Sequence, residues 1–117
     1  MKQMNIDELR ADLQNVMQCG VYVERADEDA KLPYIVLVGF GDATMHADNW
    51  IYKHRVPTNI HLLSYQANDS KSHQRDRAEA LLDMYLKNVG MPYAKERSWD
   101  DDVQLWNTEY SITLMYG

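Results

Sequence analysis

The chain has 117 residues, of which 18 are acidic and 12 are basic, giving a formal net charge of −6. This length favours one domain, residues 1–117, with a core large enough to need no metal or disulfide. The charges are spread evenly without a basic patch, which argues against tight duplex-DNA binding, because such binding needs clustered Lys and Arg.

The first predicted element is an amphipathic helix over residues 5–20. Asn5 and Glu8 have the spacing of a capping box, and Gly20 is placed to end the helix in the left-handed conformation. The apolar positions at helical spacing are Ile6, Leu9, Leu13, Val16 and Met17. The single cysteine, Cys19, has no electropositive neighbours, so a buried structural thiol is favoured over a reactive nucleophile.

Two strands are predicted next, over residues 21–25 and 34–40. The first alternates apolar and polar residues, as a half-buried strand does. The second is nearly all apolar and directly follows Pro33, which favours a strand that is covered on both faces or lies at an interface. Residues 41–49 are rich in turn formers and are predicted to form a polar loop.

A long strand is predicted from residue 50 to residue 65, in two halves separated by Pro57. Proline cannot donate a hydrogen bond to a neighbouring strand, so a bulge, a bend or a sheet edge is expected there. Ile60, Leu62 and Ser64 are expected to face one way. His61, Leu63 and Tyr65 are expected to face the other.

After a polar loop over residues 66–72, a second helix is predicted from about residue 72 to residue 89, with Gly90 as its stop. Its predicted core positions are Ala78, Leu81, Leu82, Tyr85 and Val89. Residues 93–98 and 103–116 are predicted to form a closing hairpin around the acidic residues 100–102, because the last segment alternates with period two.

This order of elements, α-β-β-β-α-β-β, predicts an α+β fold. We expect a mixed, mostly antiparallel sheet of about five strands with both helices packed on one face. The other face would then be covered by something else, and a neighbouring copy of the chain is the expected cover.

No catalytic or metal-binding motif stands out. The four histidines, His46, His54, His61 and His73, lack zinc-ligand spacing, and there is no CxxC pair, no Gly-x-Ser-x-Gly and no glycine-rich phosphate loop. A metal held by Asp42, His46 and Asp48, or by the acidic residues 100–102, is less favoured than solvated turns, because one short loop rarely supplies enough preorganised ligands. A nuclease built on Asp42, Asp48 and Lys53 has only loose support, and neither an enzyme nor a cofactor is predicted.

The aromatic residues are more informative. The chain has three tryptophans and eight tyrosines, which is more than so small a core must hold. Aromatic side chains favour half-buried strands but are also enriched at protein–protein interfaces, so core positions and subunit contacts both stay open. Those in or beside strands are Trp50, Tyr52, Tyr65, Trp99, Trp106, Tyr110 and Tyr116.

A family resemblance rests on short motifs in a fixed order. They are Pro33-Tyr34-Ile35-Val36-Leu37, then Ala47-Asp48-Asn49, then Tyr52, then Ile60-His61-Leu62-Leu63-Ser64, then a helix with Glu79, Leu82 and Leu86. Over roughly residues 5–116 this order resembles the small tail-terminator or tail-completion proteins of long-tailed bacteriophages and prophages. The polar segment 41–45 and the tyrosine at position 65 depart from the pattern.

The resemblance implies a structural protein of the virion tail, assembled in the host cytoplasm. Such proteins form a ring, usually a hexamer, at the head-proximal end of the tail tube, where they stop tube polymerisation and offer a docking surface to the neck of the filled head. DNA passes the lumen without specific binding, and no membrane is involved. The expected fold, a sheet with two helices on one side, agrees with the element order.

Assembly contacts are expected from the two predicted loops, residues 41–49 and 66–72, and from aromatic residues. The candidates are Asp42, Met45, His46, Asp48, Asn49, Trp50, Tyr52, Asn68, Trp99 and Trp106. Three alternatives remain: a neck or head–tail connector (head-completion) protein, a small α+β module that binds a nucleotide, metal or regulator, and an enzyme.

Overall fold

The computed structural model describes residues 3–41, 43–47, 51–65 and 73–117; within residues 43–53 the description covers the backbone of the two strands there and no side chain. The elements in chain order are α1 (Ile6–Met17), β1 (Gly20–Val23), β2 (Tyr34–Gly39), β3 (Ala43–Ala47), β4 (Ile51–Tyr65), α2 (Gln74–Asn88), β5 (Ala94–Asp100) and β6 (Leu105–Tyr116). The main sheet has the order β1-β2-β4-β6-β5, and β3 pairs with the first part of β4.

The predicted α+β class is confirmed. β1 and β2 are parallel, whereas all other strand pairs are antiparallel, so the sheet is mixed and mostly antiparallel. The strand β3 was missed, because the segment 41–49 was predicted to be a loop. Its backbone pairs in order with β4, from Ala43 opposite Arg55 to Ala47 opposite Ile51, and this ladder outweighs the turn-forming composition.

The start of α1 agrees with the prediction, whereas its end differs. The Asn5 side chain accepts from the Glu8 amide at 2.9 Å, and the Glu8 carboxylate accepts from the Asn5 amide at 3.4 Å, which completes the capping box. The helix ends at Met17, because Gln18, with φ of 52°, adopts the left-handed conformation that was predicted for Gly20. Gly20 instead begins β1, opposite Tyr34.

The core lies between the two helices and one face of the sheet. It consists of Met4, Leu9, Leu13, Met17, Val21, Ile35, Leu37, Ile60, Leu62, Ala78, Leu82, Tyr85, Leu86, Met91, Tyr110, Ile112 and Leu114. The two helices also meet through a hydrogen bond, which the Tyr85 hydroxyl donates to Asp12 Oδ2 at 2.7 Å. One prediction of a core position on α2 is wrong, because Leu81 is 42% exposed. Glu79, which was not predicted to be in the core, is buried on the same helix.

Of the bulge, bend or sheet edge expected at Pro57, β4 shows no bulge against β6 and a local edge on its other side. Its pairing with β6 is unbroken from His54 to Tyr65. On its other side, β2 pairs as far as Thr58 and β3 begins at Arg55, so Pro57 lies in the gap between two partners. Its carbonyl accepts from the Phe40 amide at 2.8 Å. The amide and carbonyl of a strand residue point the same way, so the missing N–H falls at this gap, where it interrupts no ladder.

Alternation along the strands gives the sheet two different faces, as predicted for β4. Ile60, Leu62 and Ser64 are fully buried beneath the helices. His61 and Leu63 are half-buried and Tyr65 is exposed on the face turned away from the helices, which we call the outer face. In β2 the same alternation leaves Tyr34, Val36 and Val38 half-buried on the outer face, so this strand is covered by helices on one side only.

Candidate assembly surfaces

The two segments that were predicted to contact tube and neck reach β4 at its two ends. Residues 48–50 connect β3 to Ile51, and residues 66–72 follow Tyr65, whereas the larger part of the first segment is strand β3, which runs beside β4. A strand of 15 residues spans about 45 Å at the usual rise per residue. The molecule is elongated, with extents of 56 × 26 × 22 Å. Two ends and two lateral edges are therefore separately available for contacts.

The outer face has an apolar half and a polar half. In the apolar half, the rings of Tyr22 and Tyr34 meet edge to face with centroids 6.1 Å apart, and Val36, Val38 and Leu63 continue the surface along β2 and β4. In the polar half, side chains hydrogen-bond across β4 and β6: Asn59 Nδ2 donates to Glu109 Oε1, and His61 Nδ1 lies 3.4 Å from Asn107 Oδ1.

Trp99 and Trp106 form a cluster where β5 and β6 leave the core. They are cross-strand partners, and their ring centroids lie 5.3 Å apart at 60°. The Arg75 guanidinium sits 4.7 Å from the Trp106 ring centroid, within cation–π range. Trp99 Nε1 donates to Asp101 Oδ1 at 2.6 Å. Both tryptophans are half-buried, so they already have partners within the domain and offer only part of their surface to another protein.

Five large apolar side chains are exposed among the residues whose burial the structure describes. They are Phe40, Tyr65, Leu81, Met84 and Val103. Phe40, Tyr65 and Val103 lie at strand ends or in turns, where isolated apolar residues are common on protein surfaces. Leu81 and Met84 differ, because they are neighbours three residues apart on one face of α2 and form a continuous apolar patch.

A buried charge cluster joins α2 to β5 and β6. Glu79 is 4% exposed, and its carboxylate accepts two hydrogen bonds from the Arg97 guanidinium and one from the Thr108 hydroxyl at 2.7 Å. It also forms an ion pair with Lys95 at 2.9 Å. Burial by itself would raise the pKa of Glu79, but these hydrogen bonds outweigh it and lower the pKa to about 2. These bonds from β5 and β6 tie α2 to the sheet through one carboxylate.

The sequence analysis did not predict this charge cluster. It named Glu79 only as part of the family resemblance, although Glu79 lies on the same helix face as Leu82 and Leu86. A carboxylate on an apolar helix face, together with Lys95 and Arg97 two residues apart on one strand face, was the available signal.

The groups that could support chemistry are few in the described part of the chain. No group of three or more His, Cys, Asp or Glu side chains is placed there to hold a metal ion. Cys19 is partly buried, and burial raises the pKa of its thiol to about 11, which leaves little thiolate near neutral pH.

The predicted assembly residues divide into three groups. Trp99 and Trp106 are brought together, as described above. The backbones of Met45, His46 and Tyr52 lie in the β3–β4 ladder, where His46 is opposite Tyr52. The remaining candidates lie outside the described residues: Asp42, Asp48, Asn49, Trp50 and Asn68.

Comparison with protein-family models and with curated protein sequences gave no match. Neither helix among the described residues is long and apolar enough to cross a membrane.

Proposed function

We propose that this protein is a tail-terminator-type structural protein, which forms a ring at the head-proximal end of a phage tail tube. The ring would end tube polymerisation and provide the docking surface for the neck. The proposal starts from the motif order described above and from its agreement with the element order of the fold. Fold agreement alone is weak support, because many α+β domains share such an order.

The observation that carries the proposal is the geometry of β4. A ring subunit between tube and neck needs contacts at two opposite ends and at two lateral sides. Of the two segments expected to make the end contacts, residues 66–72 follow the last residue of this strand, and only the end of segment 41–49 adjoins its first residue, about 45 Å away. At the sides, β1 and β5 are the outermost strands of the described sheet, and each has a strand partner on one side only.

Outermost strands suit a closed ring for a physical reason. An unpaired strand edge presents N–H and C=O groups that can pair with another chain. In a closed ring each copy uses both edges, so none remains open for further growth. The acidic chain, with its net charge of −6, is also suited to a lumen that DNA passes without binding.

The test is assembly with the tube protein encoded in the same phage genome. We expect light scattering to detect a ring-sized species, and electron microscopy to find one ring at one end of each tube, with shorter tubes than in its absence. A protein that leaves tube length unchanged and binds the head portal complex instead would be a connector protein, and the proposal would be wrong.

Two substitutions test the loop before β4. Asp48→Ala and Asn49→Ala should keep the wild-type circular dichroism spectrum and Tm but reduce tube capping. Asp102→Ala serves as the matched control, because it changes an exposed acidic turn residue at the opposite end of β4. If the Asp48 and Asn49 variants cap tubes as well as the control does, this loop does not contact the tube.

A further inference from the structure

We infer which surfaces meet between neighbouring copies: the exposed face of α2 in one copy binds the acidic turn between β1 and β2 in the next copy. The α2 stripe comprises Arg77, Leu81, Met84 and Lys87, and the acidic turn comprises Asp27, Glu28 and Asp29. The inference rests on the proposed function in one respect, because it takes self-association into a ring as its starting point.

The α2 stripe has the composition of a protein contact. Leu81 is 42% exposed and Met84 is 60% exposed, and at helical spacing they lie side by side. Arg77 and Lys87, one turn before and one turn after this pair, are exposed and form no ion pair with any described residue. Apolar centres with charged rims are the usual anatomy of an interface, and Met is enriched there.

The acidic turn complements this stripe. Three successive carboxylates are exposed on a turn whose backbone is held by a hydrogen bond from the Ala30 amide to the Asp27 carbonyl, at 3.1 Å. None of the three forms an ion pair with the residues described here. A turn of this kind presents negative charge at a defined place, which suits a partner carrying two separated cations.

The two surfaces lie towards opposite lateral edges of the sheet, one near β1 and the other near β5. The acidic turn connects β1 and β2, which α1 covers, at one side. α2 contacts β4 and reaches β5 and β6 at the other side, through the bonds from Arg97 and Thr108 to Glu79. A head-to-tail arrangement, in which the β5 side of one copy faces the β1 side of the next, lets each copy use both surfaces once.

Charge favours this head-to-tail contact over a twofold contact between two α2 stripes. In an antiparallel pair of identical helices, Arg77 of each copy would approach Lys87 of the other, and like charges would face each other. Against the acidic turn, the same two cations meet carboxylates. A head-to-tail contact repeats around a circle, whereas a twofold contact stops at two copies.

Charge reversal tests the pairing. We expect R77E/K87E and D27K/D29K each to weaken self-association at least tenfold, as measured by sedimentation velocity at 0.15 M salt. Mixing the two variants should restore association, because the acidic stripe of one then meets the basic turn of the other. D102K is the control, because it reverses an exposed charge in the turn between β5 and β6, outside both surfaces and off the β1 and β5 edges, and should associate as the wild type does.

Circular dichroism and Tm will establish that each variant is folded. The inference is overturned if the wild type stays monomeric, if either double variant associates as tightly as the wild type, or if the mixture remains dissociated. Tube capping is scored separately. If the wild type caps tubes and the charge reversals have no effect, this interface is wrong and the proposed function stands. If association depends on these charges but no tube is capped, the interface stands and the proposed function is wrong.

Discussion

Replacing Glu79 with glutamine is the most direct test of what holds α2 against the sheet. The substitution keeps the size and hydrogen-bonding shape of the side chain but removes its charge. Arg97 then loses its carboxylate partner, while Lys95 retains an ion pair with Asp83 at 3.1 Å. The main loss is therefore electrostatic.

The magnitude follows from the pKa of Glu79, which falls from an ordinary value of 4.5 to about 2. Each pKa unit corresponds to about 1.4 kcal/mol, so the full shift corresponds to about 3 kcal/mol. Solvent screens part of the interaction, because the Arg97 side chain is 40% exposed. We therefore expect Glu79→Gln to reduce the free energy of unfolding by about 2 to 3 kcal/mol at pH 7.

The pH dependence has a defined sign. A carboxylate whose pKa is lower in the folded state stabilises the protein above its unfolded pKa, and this contribution disappears as the pH falls towards the folded value. The Glu79 contribution is therefore complete above about pH 5 and is lost between pH 5 and about pH 2. The difference between wild type and variant should shrink to less than half of its pH 7 value by pH 3.

The assay is urea unfolding of both proteins at pH 7, 5, 4 and 3. The control is Asp76→Asn, which removes the exposed ion pair with Arg75 on the same helix and should change stability by less than about 0.5 kcal/mol. The reasoning is refuted if the difference between wild type and Glu79→Gln is the same at pH 7 and pH 3, or if Glu79→Gln is as mild as the control.

Three further predictions concern the local structure. Asn5→Ala should reduce stability by about 1 kcal/mol by removing the cap on the Glu8 amide, as urea unfolding would show; an unchanged midpoint would mean that this cap adds nothing. Ile112→Asp should prevent folding because it buries an unpaired charge, whereas Ser111→Asp, on the exposed outer face, should give a folded NMR spectrum; equal behaviour of the two would contradict the assignment of faces. Cys19 should react with a thiol reagent at pH 8 about 100-fold more slowly than free cysteine, with the rate recovered in urea, and fast labelling of the native protein would show that the thiol is not protected.

Local patterns in the sequence determined most of the elements. The capping box at Asn5, the helical spacing in α1 and the alternation in β4 and β6 each depend on residues close together in the chain, so they could be recognised without tertiary contacts. The same is true of Gly90, which follows the end of α2 and has the positive φ, 70°, of the predicted helix stop.

Other features were decided by residues far apart in the chain. Glu79 is buried because Arg97 and Thr108 reach it from two strands, and Leu81 is exposed because α2 turns its opposite face to the core. β3 forms because β4 supplies a partner, and Pro57 stays in an unbroken strand because β2 ends and β3 begins beside it.

The sequence by itself therefore determined the fold class and the period of each main element, because those depend on short-range spacing. Only the tertiary structure decided which charges are buried, which apolar residues stay exposed on α2, and that β3 pairs with the first part of β4. The physical reason is that burial and position depend on which strands become neighbours, and that choice is made by the whole chain.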